Sequence, residues 1–363
     1  MKTKKELVII TFLVIFSTLL VWLPFSFKNQ FLKVFANYDG PNYIVVAKTW
    51  YNKDLIEKHF ALPSPPEYYP SHFPGYPALI RLLDLFLPGT WAMLISALLT
   101  TILASTVFYL FVKKFNLSPQ PLWLTTIFLF LPARFLVVRS VGSPEPLFIF
   151  AILASFYFFR LKKWWLAGIF GALAQITKSP GILLFVTYGI IIFVRGLKTK
   201  KIPWEVYPLL LIPLSALGVF IFYLFQTGDF LAYFHSGDNF HLVFPPFQSF
   251  NTGKPWLGDF WLEDMIYIYL LGALTVVQLI KLKQFDLATF AGIFYTATLF
   301  IAHRDLSRYS LPLAPFALIA FSDFLEKKEF KIAFWVVLAG IYLYAINFIT
   351  HNTAPIADWT PYL

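Results

Sequence analysis

The sequence predicts an all-α integral membrane protein: one polytopic domain over residues 1–363, with about eleven transmembrane helices and a structured first extracytoplasmic loop. Three observations carry that expectation. Only 13% of the residues are charged and 58% are hydrophobic, whereas a soluble domain is about 25% charged. Apolar runs at 7–25, 91–112, 204–225, 265–280 and 332–349 approach or exceed the roughly 20 residues that cross about 30 Å of hydrocarbon. More than half of the 29 basic residues stand in short clusters near the ends of alternate runs, as topology signals do.

Taken in order, Lys2, Lys4 and Lys5 precede the first apolar run. A secretory signal opens the same way, but this run exceeds a typical signal core and Val34-Phe35-Ala36 lies too far beyond it, so an uncleaved helix at 7–27 is expected. A large loop, 28–90, follows. Within it, 43–58 reads as an amphipathic helix along the membrane interface. The Pro-rich stretch 63–77 turns the chain back, and 78–87 forms a second short helix. Spans are expected at 91–112, near 119–138 and 144–160, then as short, broken segments at 164–177 and 180–194, then at 204–225. A second large loop, 226–262, precedes helices near 264–280, 286–301, 309–322 and 332–350.

Lys113-Lys114, the 160–163 and 195–201 clusters, Lys281 with Lys283, and the 327–331 cluster all fall on one side of that path. The positive-inside rule makes this side, and the N-terminus, cytoplasmic. Pro132, Pro144, Pro146, Pro180, Pro312 and Pro315 interrupt spans or end them. Irregular backbone at membrane depth is tolerated only when buried in protein or lining a cavity, so an outward-facing cavity is expected.

Composition also excludes. There is no cysteine, which removes disulfides, thiolate catalysis and cysteine-ligated metal. The basic residues behind the net charge of +10 sit in short clusters between apolar runs and form no single patch, so nucleic acid is not expected as a partner. No Walker-type glycine-rich loop appears. His235, Asp238 and His241 superficially resemble a metal set, but spacing alone is a weak signal and no metal or other cofactor is expected.

Ionisable groups at the membrane boundary cost a few kcal/mol each when dehydrated, so each asks for a reason. Asp39, in Asn37-Tyr38-Asp39-Gly40-Pro41, reads as a general base or as an N-cap before Gly40-Pro41. Glu145, between Pro144 and Pro146, either holds a substrate hydroxyl or complements a helix N-terminus, paired to Arg134 or Arg139. Lys178, in Thr177-Lys178-Ser179-Pro180-Gly181, snorkels to headgroups or binds an anionic substrate group. In His303-Arg304-Asp305-Leu306-Ser307-Arg308-Tyr309 a helical turn would bring Arg304 and Arg308 to one face, where paired guanidinium groups suit a phosphate. An Arg304–Asp305 pair or lipid contacts are the bland alternative. His72, in Ser71-His72-Phe73-Pro74, is a candidate substrate contact or a packed loop histidine. Most of the 11 Trp, 19 Tyr and 43 Phe belong to the core and the interfacial belt.

The order of these motifs resembles the mannosyltransferases that add the second mannose to GPI anchors, together with their prokaryotic relatives. The resemblance rests on Tyr38-Asp39-Gly40-Pro41-x-Tyr43, Phe73-Pro74-Gly75-Tyr76-Pro77, Ser143-Pro144-Glu145-Pro146-Leu147-Phe148, Trp164-Trp165-Leu-Ala-Gly, Thr177-Lys178-x-Pro-Gly181, and His303-Arg304 with Arg308-Tyr309. It implies a GT-C-like fold of the multi-spanning family C glycosyltransferases. It further implies that mannose moves from a polyprenyl-phosphate-mannose donor to an acceptor hydroxyl of a lipid, glycan or protein, with inversion, on the extracytoplasmic side. Asp39 would then be the base, with Glu145, Lys178, His303, Arg304, Arg308, Tyr309 and His72 in substrate binding and the cations on the donor phosphate. No cofactor or metal is required by that scheme. Two departures stand out: Lys178 occupies a position where arginine is common, and the first loop has a single acid beside its aromatic residue. A transporter or flippase for a lipid-linked sugar is the alternative from another class.

Overall fold

The computed structural model describes residues 2–37, 39–61, 64–201, 203–237, 242–251, 253, 255 and 262–363. Among them the chain is helical, with β-type pairing only at the isolated bridges Asn37–Thr353 and Leu242–Ile301. Among the described residues six helices are long and apolar enough to cross a membrane: Thr3–Phe27, Gly89–Lys114, Ser179–Thr199, Trp204–Thr227, Leu262–Lys281 and Lys328–His351. Two shorter apolar helices, Trp164–Thr177 and Phe285–Leu299, lie among them. Several apolar side chains of the long helices remain exposed in the isolated chain, Phe12, Phe193 and Val336 among them. Such a surface is stable against hydrocarbon and costly against water.

Of the remaining expected spans, 144–160, 164–177 and 286–301 are continuous but shorter helices, Glu145–Arg160, Trp164–Thr177 and Phe285–Leu299. The other two are broken, and proline is the physical reason. Residues near 119–138 form two short helices, Pro121–Phe128 and Ala133–Val138, divided before Pro132. The stretch at 309–322 becomes Leu306–Tyr309, a 3-10 turn at Leu311–Leu313, then Ala314–Ala320 and Ser322–Leu325. Pro312 and Pro315 lie in this stretch, and proline carries no N–H and crowds the carbonyl four residues back. Of the roughly eleven expected spans, some of them expected to be short or broken, six coincide among the described residues with helices long and apolar enough to cross a membrane, and the others with shorter helices.

The first loop differs from expectation more sharply. Its 43–58 stretch is split between Gly40–Thr49 and Lys53–His59, with Trp50 and Tyr51 at φ 49° and 66° between them. The first of these helices is no interfacial float: Tyr43, Ile44, Val45, Val46 and Ala47 are all buried inside the protein. The second helix is capped by Asn52, whose side chain accepts from Leu55 N at 3.0 Å.

Packing gives the bundle two chemically distinct ends. At the lysine-rich end, Lys113 reaches Glu6 at 2.8 Å, Arg160 pairs with Asp286 at 2.6 Å, and Lys331 meets Gln120 at 2.7 Å. Ser118 donates to Glu326 at the same end. Between the ends lies an aromatic core in which Phe156 meets Tyr188, Phe290 and Phe316 edge-on, and Phe159 stacks on Tyr188 at 4.1 Å. The opposite end gathers the starts of Gly40–Thr49, Glu145–Arg160 and Ser179–Gly181 with the Leu306–Tyr309 turn.

Candidate functional site

Four short interruptions of apolar sequence place four charged side chains together. Glu145 opens its helix between two prolines and is 1% exposed. A carboxylate so buried must be paired. Its Oε1 accepts from Lys178 Nζ at 2.7 Å and from Arg308 Nε at 2.8 Å, while Oε2 accepts from the Ser143 hydroxyl. Arg308 also donates through Nη1 to Asp39 at 3.1 Å. Two carboxylates thus face two cations, and the cluster is electrically balanced before any ligand enters.

Local backbone explains each placement. Lys178 is extended (φ −150°, ψ 141°) between the Trp164–Thr177 helix and the Ser179–Gly181 turn. Gly181 makes that reversal possible, since a Cβ there would lie 2.4 Å from Gln175 N. Gly75 sets the neighbouring segment against the same helix end: its Cβ would meet Thr177 Oγ1 at 2.7 Å. Asp39 stands at the N-cap position of Gly40–Thr49 but makes no side-chain cap hydrogen bond; its carboxylate goes to Arg308 instead. A third of the Asp39 side chain stays accessible, which makes it the open edge of the cluster. Burial pushes the Asp39 carboxyl up, but the Arg308 guanidinium and the neighbouring His72 together outweigh it and hold it below its ordinary value.

His72 is 4% exposed. Its Nδ1 shares a hydrogen bond with Ser71 Oγ at 2.8 Å, and its ring stands edge-on to Tyr43 at 4.8 Å and beside Tyr68 at 5.3 Å. Burial lowers its pKa to about 4, with Asp39 opposing the shift, so the ring is neutral near pH 7. Tyr309 lies 5.9 Å from Lys178 Nζ, measured to its ring, and edge-on to His303 at 5.2 Å. His303 Nδ1 accepts from Asp305 N at 2.9 Å.

Arg304 does not share the position of Arg308. The helical turn begins only at Leu306, so the four-residue spacing has no helix to act through, and Arg304 is exposed in the preceding bend. Nor does Asp305 pair with it; Asp305 takes Arg134, which also donates to the Tyr344 hydroxyl at 3.0 Å and lies over Phe348. Glu145 is paired to neither Arg134 nor Arg139. Arg139 is fully buried and donates to Leu129 O, Thr18 and Ser17. Of the superficial metal set, Asp238 and His241 lie outside the described residues, while His235 contacts Asp229 at 2.7 Å. Among the described residues no group of His, Asp and Glu has the arrangement of a metal site.

Sequence reasoning gave no role to Ser143, Tyr43 and Tyr76, although all three lie inside the motifs that drew attention. The Tyr76 hydroxyl donates to Met93 O at 2.8 Å and accepts from Ser143 N at 3.2 Å, fixing the residue that holds Glu145. The signal was the small polar residue just before Pro144-Glu145-Pro146 and the aromatics flanking each turn.

Comparison of the chain with protein-family models finds no match, and comparison with curated proteins finds none. The chemistry of this cluster is therefore the ground for any functional reading.

Proposed function

We propose that the protein is an inverting glycosyltransferase that moves mannose from a polyprenyl-phosphate-mannose donor to an acceptor hydroxyl at the Asp39 end of the bundle. The observation that carries this reading is the meeting of Asp39, Glu145, Lys178 and Arg308, from four distant stretches, at one end of an apolar bundle. In this scheme the acceptor O–H gives its proton to Asp39 as its oxygen attacks the anomeric carbon. The bond from that carbon to the phosphate oxygen breaks, and the polyprenyl phosphate leaves with its charge facing Arg308 and Lys178. Glu145, buried and triply hydrogen-bonded, keeps both cations in position. A donor phosphate competes with Asp39 for Arg308, and release from Arg308 raises the proton affinity that a base needs. Arg304, exposed at the rim, and His72, His303 and Tyr309 beside the cluster, are assigned to substrate contacts. The assignment to mannose follows the motif resemblance. The lysine-rich end is assigned to the cytoplasm by the positive-inside rule, which puts the site outside.

The test is transfer from radiolabelled polyprenyl-phosphate-mannose in membranes carrying the wild type or Asp39→Asn at equal expression. The expected outcome is incorporation by the wild type and a loss of at least about 100-fold in the variant, the scale of general-base catalysis. Full activity in Asp39→Asn would remove the base assignment. No incorporation by the wild type over a range of acceptors would turn the reading toward a transporter or flippase, which needs no base.

A further inference from the structure

We propose that a cup at the lysine-rich end of the bundle binds the headgroup of an anionic glycerophospholipid carrying one phosphodiester charge. The cup is a cavity of about 490 Å³ lined by Lys162, Lys163, Trp164, Trp165, Glu205 and Tyr207. It is separate from the carboxylate cluster. Glu145 begins, and Arg160 ends, the same helix, which at 1.5 Å per residue puts about 22 Å between them. The inference does not rest on glycosyl transfer.

The walls are set by close packing. At Gly168 a Cβ would lie 2.2 Å from Pro208 O, so only glycine lets the Trp164–Thr177 helix rest directly on the Trp204–Leu210 turn. That contact brings Trp165 edge-on to Tyr207 at 5.5 Å. Lys162 ends the preceding helix in the left-handed region, φ 56°, and Lys163 follows it. Both lysines are exposed, and neither forms an ion pair or side-chain hydrogen bond among the described residues. The nearby Arg160 is already committed to Asp286 and Gln284. Two lysines against Glu205 leave the cup one positive charge in excess, which a single phosphodiester balances.

An exposed apolar strip makes the ligand an amphiphile instead of a free anion. Trp165 and Ile169 are four apart on one helix, and Leu210 and Leu214 four apart on the other segment; all four are about half exposed. The strip runs from the cup along two apolar segments of the bundle, one of them in a helix long and apolar enough to span. A phosphate held by the lysines would therefore have its acyl chains against Ile169 and Leu214. Tryptophan and tyrosine at the rim match the headgroup level of a bilayer.

The test is native mass spectrometry of the full chain, delipidated in detergent and titrated with phosphatidylglycerol or phosphatidylcholine. The expected result is one tightly retained phosphatidylglycerol, with affinity reduced about 5-fold for each of Lys162→Gln and Lys163→Gln, as expected for one lysine beside an anionic headgroup. Glu205→Gln should tighten binding, a gain that misfolding does not produce. Lys281→Gln with Lys283→Gln, at the same end but away from the cup, should leave binding unchanged. Equal retention of the two lipids, wild-type affinity in the lysine variants, or no tightening in Glu205→Gln would overturn the proposal. Displacement of the lipid by an equal concentration of inorganic phosphate would overturn its assignment to a lipid.

Discussion

Replacing Glu145 by glutamine leaves Lys178 and Arg308 beside a neutral amide while all three side chains stay largely buried. Breaking a buried ion pair from one side typically costs about 3 kcal/mol or more, so Glu145→Gln should lower the thermal midpoint in detergent well below that of the wild type. Arg304→Gln, at an exposed bend, should shift it by less than about 0.5 kcal/mol equivalent. A midpoint equal in all three proteins would show that the cluster holds no stability. His72 supplies a pH dependence. Its folded pKa of about 4 lies below the ordinary 6.5, so between those values the unfolded chain binds a proton that the folded chain does not. Stability should therefore rise with pH across that window, by about 3 kcal/mol over the whole of it, and His72→Asn should flatten the rise. A slope unchanged by the substitution would mean that another group supplies it. Much of the cluster was legible in the sequence because Asp39, Glu145, Lys178 and Arg308 each interrupt an apolar context next to Pro, Gly or a helix end. What was not legible is partner choice. Arg308 selects Glu145 and Asp39, and Arg134 selects Asp305, over sequence separations that no local spacing encodes.

At the level of elements, the first loop is held by residues that local reading did not connect to it. Asn37 donates to Ile349 O and Asn352 O, Ala354 N donates to Ala36 O at 2.8 Å, and Gly89 N donates to Leu363 O at 3.1 Å. Tyr362 is buried edge-on to Phe60 at 5.1 Å. The segment 353–363 thus straps the loop from which Asp39 projects, two residues after Asn37. Removing residues 353–363 should speed amide exchange over 32–49 more than over the long helices, since strap contacts are lost there while helix packing remains. Uniform exchange in both regions would show that the loop holds itself. The long helices were legible as apolar runs because length against the bilayer decides them. The Gly40–Thr49 helix was misread as interfacial because its apolar residues pack against protein, and an apolar face does not say whether lipid or protein covers it. The broken helices near 121–138 and 306–325 were legible as proline positions but not as discontinuities of a given size.

At the scale of the whole molecule, the separation of charge is the dominant feature. Lys113, Arg160 and Lys331 are tied into contacts at one end; Asp39, Glu145, Lys178 and Arg308 occupy the other. If the lysine-rich end is cytoplasmic, as the positive-inside rule predicts, the carboxylate cluster lies outside, where the proposed transfer would take place, and the cup at Lys162 and Lys163 faces the inner leaflet. The absence of cysteine makes this sidedness directly testable, because a single introduced thiol has no background. Asn116 and Lys283 are exposed at the lysine-rich end, and Glu57 and Asp358 are exposed in the first loop and in its strap. In intact cells a membrane-impermeant maleimide should label Glu57→Cys and Asp358→Cys, and should reach Asn116→Cys and Lys283→Cys only after permeabilisation. The reverse pattern would keep the fold and move the carboxylate cluster to the cytoplasm, where a donor presented outside could not reach it. Labelling of Glu57→Cys and Asp358→Cys from opposite sides would contradict the strap itself, since Ala354 and Ala36 are hydrogen-bonded and cannot stand on two faces of a bilayer.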